Sequence, residues 1–303
     1  MVSNLKELMV KFSDEAQCRA FLVQQRWDGS PVCPYCKCEK WYSIEGGKRF
    51  KCGNSCCYKK YSVTVGTIFH ASNIPLTTWF PAMYLITAHK KGISSVQLAK
   101  DLGVTQKTAW FMLHRIRESL KDKGSDLLTG MVEVDETYVG GRMKNRHKKT
   151  RNNRNLVANE NKTAVIGMVS REGKLKTEVM PLKNDIIMNI VKKHVDTQAQ
   201  LITDGAGAYY YAHKDYAKHE IIYHSKDEFV RGVFHTNTIE GFFAYLKRSI
   251  FGIYHQVSPK HLQAYCNENA YRYNLREMKD GERFIFSLSQ ISGKLSYKTL
   301  IGK

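Results

Sequence analysis

The sequence contains no apolar run near the roughly 20 residues that a helix needs to cross a bilayer, and stretches such as Ala164 to Val169 stop well short. No transmembrane helix is expected. It also lacks the marks of a secretory leader: Lys6 and Glu7 interrupt the first apolar residues and no small-residue cleavage site follows, so a cytoplasmic protein is expected. Proline is scarce, with 6 residues in 303, and there is no internal repeat or low-complexity tract, which argues against collagenous, coiled-coil and tail-like chains. Hydrophobic residues make up 43% and aromatics 11%, enough to bury real cores in about two domains.

Acid is also in short supply. The 28 Asp and Glu residues face 47 Lys and Arg, leaving a net charge of +19. A polyanionic partner is implied, and without an amphipathic basic helix or a lipidation site that partner is nucleic acid rather than a membrane surface.

Cysteine is plentiful by contrast. Six of the eight, Cys33, Cys36, Cys38, Cys52, Cys56 and Cys57, fall within 25 positions. In a short secreted chain they would form disulfides; in a long, cytosolic-looking one they point to metal. Cys33-Pro-Tyr-Cys36 and, after 15 intervening residues, Cys52-Gly-Asn-Ser-Cys56-Cys57 resemble the two knuckles of a zinc ribbon, which bring four thiolates to one structural Zn²⁺. Strands over residues 40–44 and 48–51 would hold the knuckles together. Either Cys56 or Cys57 completes the set of Cys33, Cys36 and Cys52, and Cys57 is preferred. A metal-free cluster of buried cysteines is the plainer alternative, disfavoured by so many thiols in one stretch. Cys18 and Cys266 read as packing residues. Ahead of the ribbon, residues 12–27 read as a helix capped by Ser13 or Asp14, with Ala16, Ala20, Phe21 and Val23 on its apolar stripe.

After a strand-like 61–69, Pro75 opens a helical stretch through Trp79, Met83 and Ile86. Residues 92–110 then give a short helix, a Leu102-Gly103-Val104 turn and a helix capped by Thr105, the helix-turn-helix pattern whose second helix enters the major groove. Gln106, Lys107, Trp110, His114 and Arg115 are the candidates for its DNA-facing surface, with Trp110 equally a candidate for the core. An ordinary helical hairpin is the alternative, and the ribbon and the charge favour DNA.

Beyond a linker at 124–130 the pattern turns to strands. Residues 131–139 carry Asp135 within an apolar-rich strand; 163–170 and 175–182 form a hairpin, and a helix covers about 184–195. A strand ending in Thr203-Asp204-Gly205 puts Asp204 where ligands of α/β sheets bind. A short strand at 220–223 precedes a helix from near Thr236, with Glu240 on its first turn and Lys247 one heptad further on. Asp135, Asp204 and Glu240 together offer the hard oxygen ligands and open positions that two Mg²⁺ ions need for in-line phosphoryl transfer. Asn237-Thr-Ile-Glu240 also fits a helix capping box, in which Glu240 has no chemistry.

Val132-Glu-Val-Asp-Glu-Thr-Tyr-Val-Gly-Gly-Arg142, Thr203-Asp204-Gly205 and His235-Thr-Asn-Thr-Ile-Glu-Gly-Phe-Phe-Ala-Tyr-Leu-Lys-Arg248 resemble the three catalytic blocks of insertion-sequence transposases of the ISXO-like, zinc-ribbon DDE group. Tyr61-Ser-Val-Thr-Val-Gly-Thr-Ile-Phe69 fits the same group, so the resemblance spans nearly the whole chain. It implies an α/β fold with an RNase H-like mixed-sheet catalytic core preceded by a zinc ribbon and a helix-turn-helix. It places the acidic triad, with Mg²⁺ or Mn²⁺, on Asp135, Asp204 and Glu240, and makes Lys247 a basic residue near the DNA. The crowded second cysteine pair departs from the pattern, and Asn237 stays an alternative for the third position. The expected domains are 1–72 (helix and ribbon), 73–124 (helix-turn-helix) and 125–278 (catalytic), with 279–303 an uninformative tail.

Within 140–155, Arg142, Lys144, Arg146, Lys148, Lys149, Arg151 and Arg154 stand without one acid. Beside Asp135 this stretch reads as an arm for the phosphate backbone, more than as a solvated loop. Arg248, Arg272 and Arg276 are further candidates for DNA contact. The implied function is binding of element ends and target DNA, with metal-dependent cleavage and strand transfer by a homo-oligomer assembled on DNA and no membrane involvement. A catalytically idle DNA-binding regulator and a nuclease that never joins are the alternatives.

Overall fold

The computed structural model describes residues 2–141, 162–181 and 186–302. The chain divides into two compact units, one of residues 1–121 with 275–303 and one of residues 122–274.

In the first unit, α1 (Leu5–Lys11) is capped by Asn4, and α2 (Glu15–Trp27) by Asp14, whose carboxylate accepts from the backbone N–H of Ala16 and Gln17 at 2.7 and 2.9 Å. The next residue, Glu15, accepts from the free N–H groups of Leu76 and Thr77 that begin α3 (Leu76–Ala88). Between these helices lies a three-stranded antiparallel sheet of β1 (Trp41–Ile44), β2 (Arg49–Cys52) and β3 (Lys60–Tyr61). The strand expected over 61–69 ends at Tyr61. Hydroxyls there bind locally, Thr67 Oγ1 to the Thr64 carbonyl and Ser62 to Thr64, and the chain coils through successive turns, with an isolated bridge from Thr67 to Ser292 in place of a continuous strand. α4 (Ser95–Leu102) ends on Gly103, whose positive φ of 65° makes the sharp turn, and Thr105 caps α5 (Gln106–Ser119). Leu98 and Ala99 are buried, as are Ala109, Met112, Leu113 and Ile116, giving the apolar faces of a helix-turn-helix.

The second unit is built on one five-stranded sheet. Its strands are β4 (Met131–Val139), β5 (Thr163–Ser170), β6 (Leu175–Met180), β7 (Gln200–Asp204) and β8 (Lys218–Ile222), in the order β6-β5-β4-β7-β8. The first three pair antiparallel, and β7 and β8 run parallel to β4. Alternation along β5 sends Ile166 and Met168 to one face, where α6 (Ile187–His194), Tyr209 and Tyr216 pack, and Val165 and Val169 to the other, under α7 (Asn237–Ser249) and α8 (Pro259–Asn274). A mixed sheet covered on both faces in this order is the RNase H-like core that the sequence implies.

The chain then returns to the first unit. In α9 (Asp280–Ser289), Phe284 and Leu288 are fully buried, and the Phe284 ring meets Phe12, Phe80 and Tyr84. Ile291 accepts from Ile68 N–H, and Tyr297 at the start of α10 (Tyr297–Ile301) packs its ring on Phe111. The segment read as an uninformative tail is therefore part of a core, and ribbon and helix-turn-helix share one unit. No helix among the described residues is long and apolar enough to cross a membrane.

Candidate active site

β4 and β7 run parallel with Val134 opposite Thr203, so the next residue of each, Asp135 and Asp204, stand side by side at the middle of the sheet. Carboxylate oxygens of Asp135, Glu136 and Asp204 all lie within 4.8 Å of one another. Each aspartate is oriented by a nearby backbone N–H: Asp135 Oδ1 accepts from Glu136 at 2.7 Å, and Asp204 Oδ1 from Ala206 at 3.0 Å. Burial pushes the Asp135 carboxyl up to about 6, with the charges of Asp204 and Glu240 adding to it and the Glu136 N–H and His224 opposing. Burial likewise raises Glu136 to about 7, with the buried Tyr209 hydroxyl nearby opposing and the charges of Asp135 and Asp204 adding to it. Three hard oxygen donors held so close, two of them resisting ionisation, form a set that a divalent cation would satisfy better than protons do.

Glu240 is near this group but outside it. It stands on the exposed first turn of α7, accepts from Thr236 Oγ1 at 2.8 Å and lies 3.4 Å from His224 Nε2. The Asn237 capping box is not formed. Thr236 is the N-cap, with no side-chain cap bond, and Asn237 is the first helical residue. The free N–H groups of Thr238 and Ile239 go instead to Glu133 on β4, at 2.9 and 3.1 Å. Lys247 is half-buried and Arg248 exposed in the last turns of α7.

The sulfurs of Cys33, Cys36, Cys52 and Cys57 also lie within 4.8 Å of one another. The knuckles are tied by β1 and β2, with Trp41 opposite Cys52, while Cys56 is exposed and outside the group. Cys18 and Cys266 are buried, as packing residues should be.

On α5, Gln106 and Lys107 are exposed, Gln106 donating to Ser95 Oγ and the Lys107 ammonium standing 5.0 Å from the Tyr297 ring. Arg115 and His114, expected on the DNA-facing surface, do not stand on the exposed face of α5. Both are buried: Arg115 donates to the His70 carbonyl at 2.5 Å and stacks on Trp79 and Phe111. Arg272 is also withdrawn from solvent, paired with Glu268 and bonded to Tyr245 and Asn269. Arg142, Lys144, Arg146, Lys148, Lys149, Arg151 and Arg154 lie outside the described residues.

Sequence reasoning missed Glu133, Glu136 and His224. Glu133 alternates with Asp135 in an apolar strand, a period-two sign that two acids share one face; nothing in the sequence marks His224.

Residues 127–274 match the ISXO2-like transposase domain family, and residues 13–59 match the transposase zinc-ribbon domain. The chain is 30% identical over 243 residues, 76% of its length and 81% of the relative's, to an uncharacterized protein in transposable element ISH50 of Halobacterium salinarum. No solved structure matches. The ribbon match and the four-sulfur cluster together support a structural Zn²⁺.

Proposed function

Because this chain belongs to the ISXO2-like transposase family, with a transposase zinc ribbon ahead of the catalytic domain, we propose that it binds the ends of its insertion sequence and catalyses DNA cleavage and strand transfer. The observation that carries this reading is the meeting of Asp135 and Asp204, with Glu136, on adjacent parallel strands. Asp135 and Asp204, with Glu136 beside them, would hold Mg²⁺ or Mn²⁺, and Glu240 on the neighbouring helix would complete the acidic set that the family resemblance implies. When bound, such ions make the attacking oxygen more nucleophilic and stabilise the leaving one.

The protein's own part is to place the phosphate. In the first step a water oxygen bonds to phosphorus and the P–O3′ bond breaks, leaving a 3′-hydroxyl and a 5′-phosphate. In the second that hydroxyl attacks a target phosphodiester, whose 3′ oxygen leaves with a proton. Partial burial of Asp135 and Glu136 reduces the screening of the site by water. Lys247 and Arg248 extend from the same helix as Glu240 to meet backbone phosphate. Cys33, Cys36, Cys52 and Cys57 hold zinc, Gln106 and Lys107 read base edges, and the 142–154 cations hold the duplex in an oligomer assembled on DNA.

The test is incubation of purified protein with an end-labelled element-terminus duplex and plasmid target in Mg²⁺ or Mn²⁺. Wild type should nick the end and join a pre-cut end to plasmid, while Asp135→Asn and Asp204→Asn bind the duplex and do neither. Cleavage without joining would leave a nuclease. Binding without cleavage in either metal would leave a regulator.

A further inference from the structure

We propose that Glu133 is a positioning residue: it clamps the start of α7 to β4 and thereby sets where Glu240 stands relative to Asp135. The inference rests on the reading of Asp135, Asp204 and Glu240 as the metal-holding set.

Glu133 is fully buried, and both of its oxygens are occupied. Oε2 accepts from the backbone N–H of Thr238 at 2.9 Å and Ile239 at 3.1 Å. Oε1 accepts from the Thr238 hydroxyl at 2.9 Å and Arg171 Nε at 2.8 Å, and lies 3.3 Å from His235 Nδ1. The first N–H groups of a helix have no partner within it, and its N-terminus carries partial positive charge, so one carboxylate satisfies both needs. A local Ser, Thr, Asn or Asp normally does this from the N-cap position. Here the N-cap Thr236 makes no such bond, and its hydroxyl donates to Glu240. The cap has passed to a strand, two residues from Asp135 and on the same face.

That arrangement is a costly way to stabilise a helix, because a buried carboxylate loses its hydration. What it adds is a fixed link between two elements. Ile239, whose N–H Glu133 holds, is the residue before Glu240. Opposite Asp135 on β5 stands Gly167, where an added Cβ would lie 2.6 Å from Ile239 Cδ1 and 2.9 Å from Phe243, so side chains of the helix fill the space that any larger residue there would take. Arg171 also donates to the Val233 carbonyl at 3.0 Å, tying the segment before α7 to the same point. Glu240 is thus referred to β4 through Glu133 rather than through its own exposed side chain.

The experiment measures Mn²⁺ binding to the full chain by calorimetry, together with cleavage at saturating DNA, in wild type, Glu133→Gln, Glu240→Gln, the double variant and Asp135→Asn. An amide at 133 has one acceptor oxygen, and its NH₂ must face either the helix N–H groups or Arg171. Glu133→Gln should weaken Mn²⁺ binding by about tenfold and lower cleavage correspondingly, with partial recovery at high Mn²⁺ and an unchanged affinity for element-end DNA. The double variant should bind Mn²⁺ no more weakly than Glu240→Gln, since both changes act on one ligand. Wild-type Mn²⁺ binding by Glu133→Gln, or full additivity in the double variant, would overturn the proposal. Unweakened Mn²⁺ binding by Asp135→Asn would instead sink the metal-site reading beneath it. If Glu133→Gln does not fold, Thr238→Val, which deletes only the hydroxyl bond, carries the test: about two- to threefold weaker Mn²⁺ binding is expected, and wild-type binding overturns the proposal.

Discussion

At Asp135 and Glu136, protons and metal compete for the same oxygens. Their carboxyls titrate near 6 and 7 in the fold, against about 4 in an unfolded chain, so between those limits the metal-free fold holds more protons than the unfolded chain. Their contribution to stability is therefore greatest below pH 4 and is lost as the pH rises to 7. Asp135→Asn should raise the melting temperature of metal-free protein at pH 7.5, by about 2–4 °C, and leave it nearly unchanged at pH 4. Calorimetry at the two pH values checks this, and an equal shift at both would contradict it. In the ribbon, Cys57→Ser should abolish zinc retention while Cys56→Ser keeps it, because only the Cys57 sulfur joins the other three; metal analysis of the two purified variants decides. These residues were legible because the chemistry forces their type and spacing: thiols in pairs, acids inside apolar strands. Arg115 misled because helical periodicity marks a polar residue as outward unless a carbonyl waits inside, and the carbonyl of His70 is 45 positions away. Alternation with Asp135 marks the face of Glu133, but its role is hidden for the same reason, its partners at 238 and 239 being over 100 residues distant.

Among elements, the strands and helices of the second unit follow from alternation and capping, and their order in the sheet agrees with the family the motifs implied. The failure at 61–69 has a local cause. Val63, Val65 and Ile68 look like a strand, yet three hydroxyls and Gly66, at a φ of +78°, favour consecutive turns. The placement of α7 depends on a side chain that is missing. Gly167→Ala should push Ile239 and Phe243 outward, destabilise the fold by about 1–3 kcal/mol and weaken Mn²⁺ binding with it, since Glu240 rides on the same turn. Denaturant unfolding and Mn²⁺ titration of this variant should change together. A stability loss with intact Mn²⁺ binding would mean that the spacing of α7 does not matter to the site.

For the whole molecule, a surplus of +19 makes salt the natural probe of DNA binding. Neutralising Arg146, Lys148, Lys149 and Arg151 together should weaken binding to any duplex and flatten the dependence of log K on log salt by about 0.9 for each phosphate that is no longer paired with a cation. An unchanged slope would remove the arm from the interface. The return of α9 into the first unit has a consequence for synthesis. The unit that carries the ribbon and the helix-turn-helix is made of two stretches, 1–121 and 275–303, with the whole of the second unit translated between them, and Phe284 completes the ring cluster around Phe12 and Phe80. Residues 1–121 made alone should bind a hydrophobic dye, and a peptide of residues 275–303 should suppress that binding. A chain broken off before α9 would then carry an unfinished first unit, and it should bind element-end DNA more weakly than the chain that reaches residue 303.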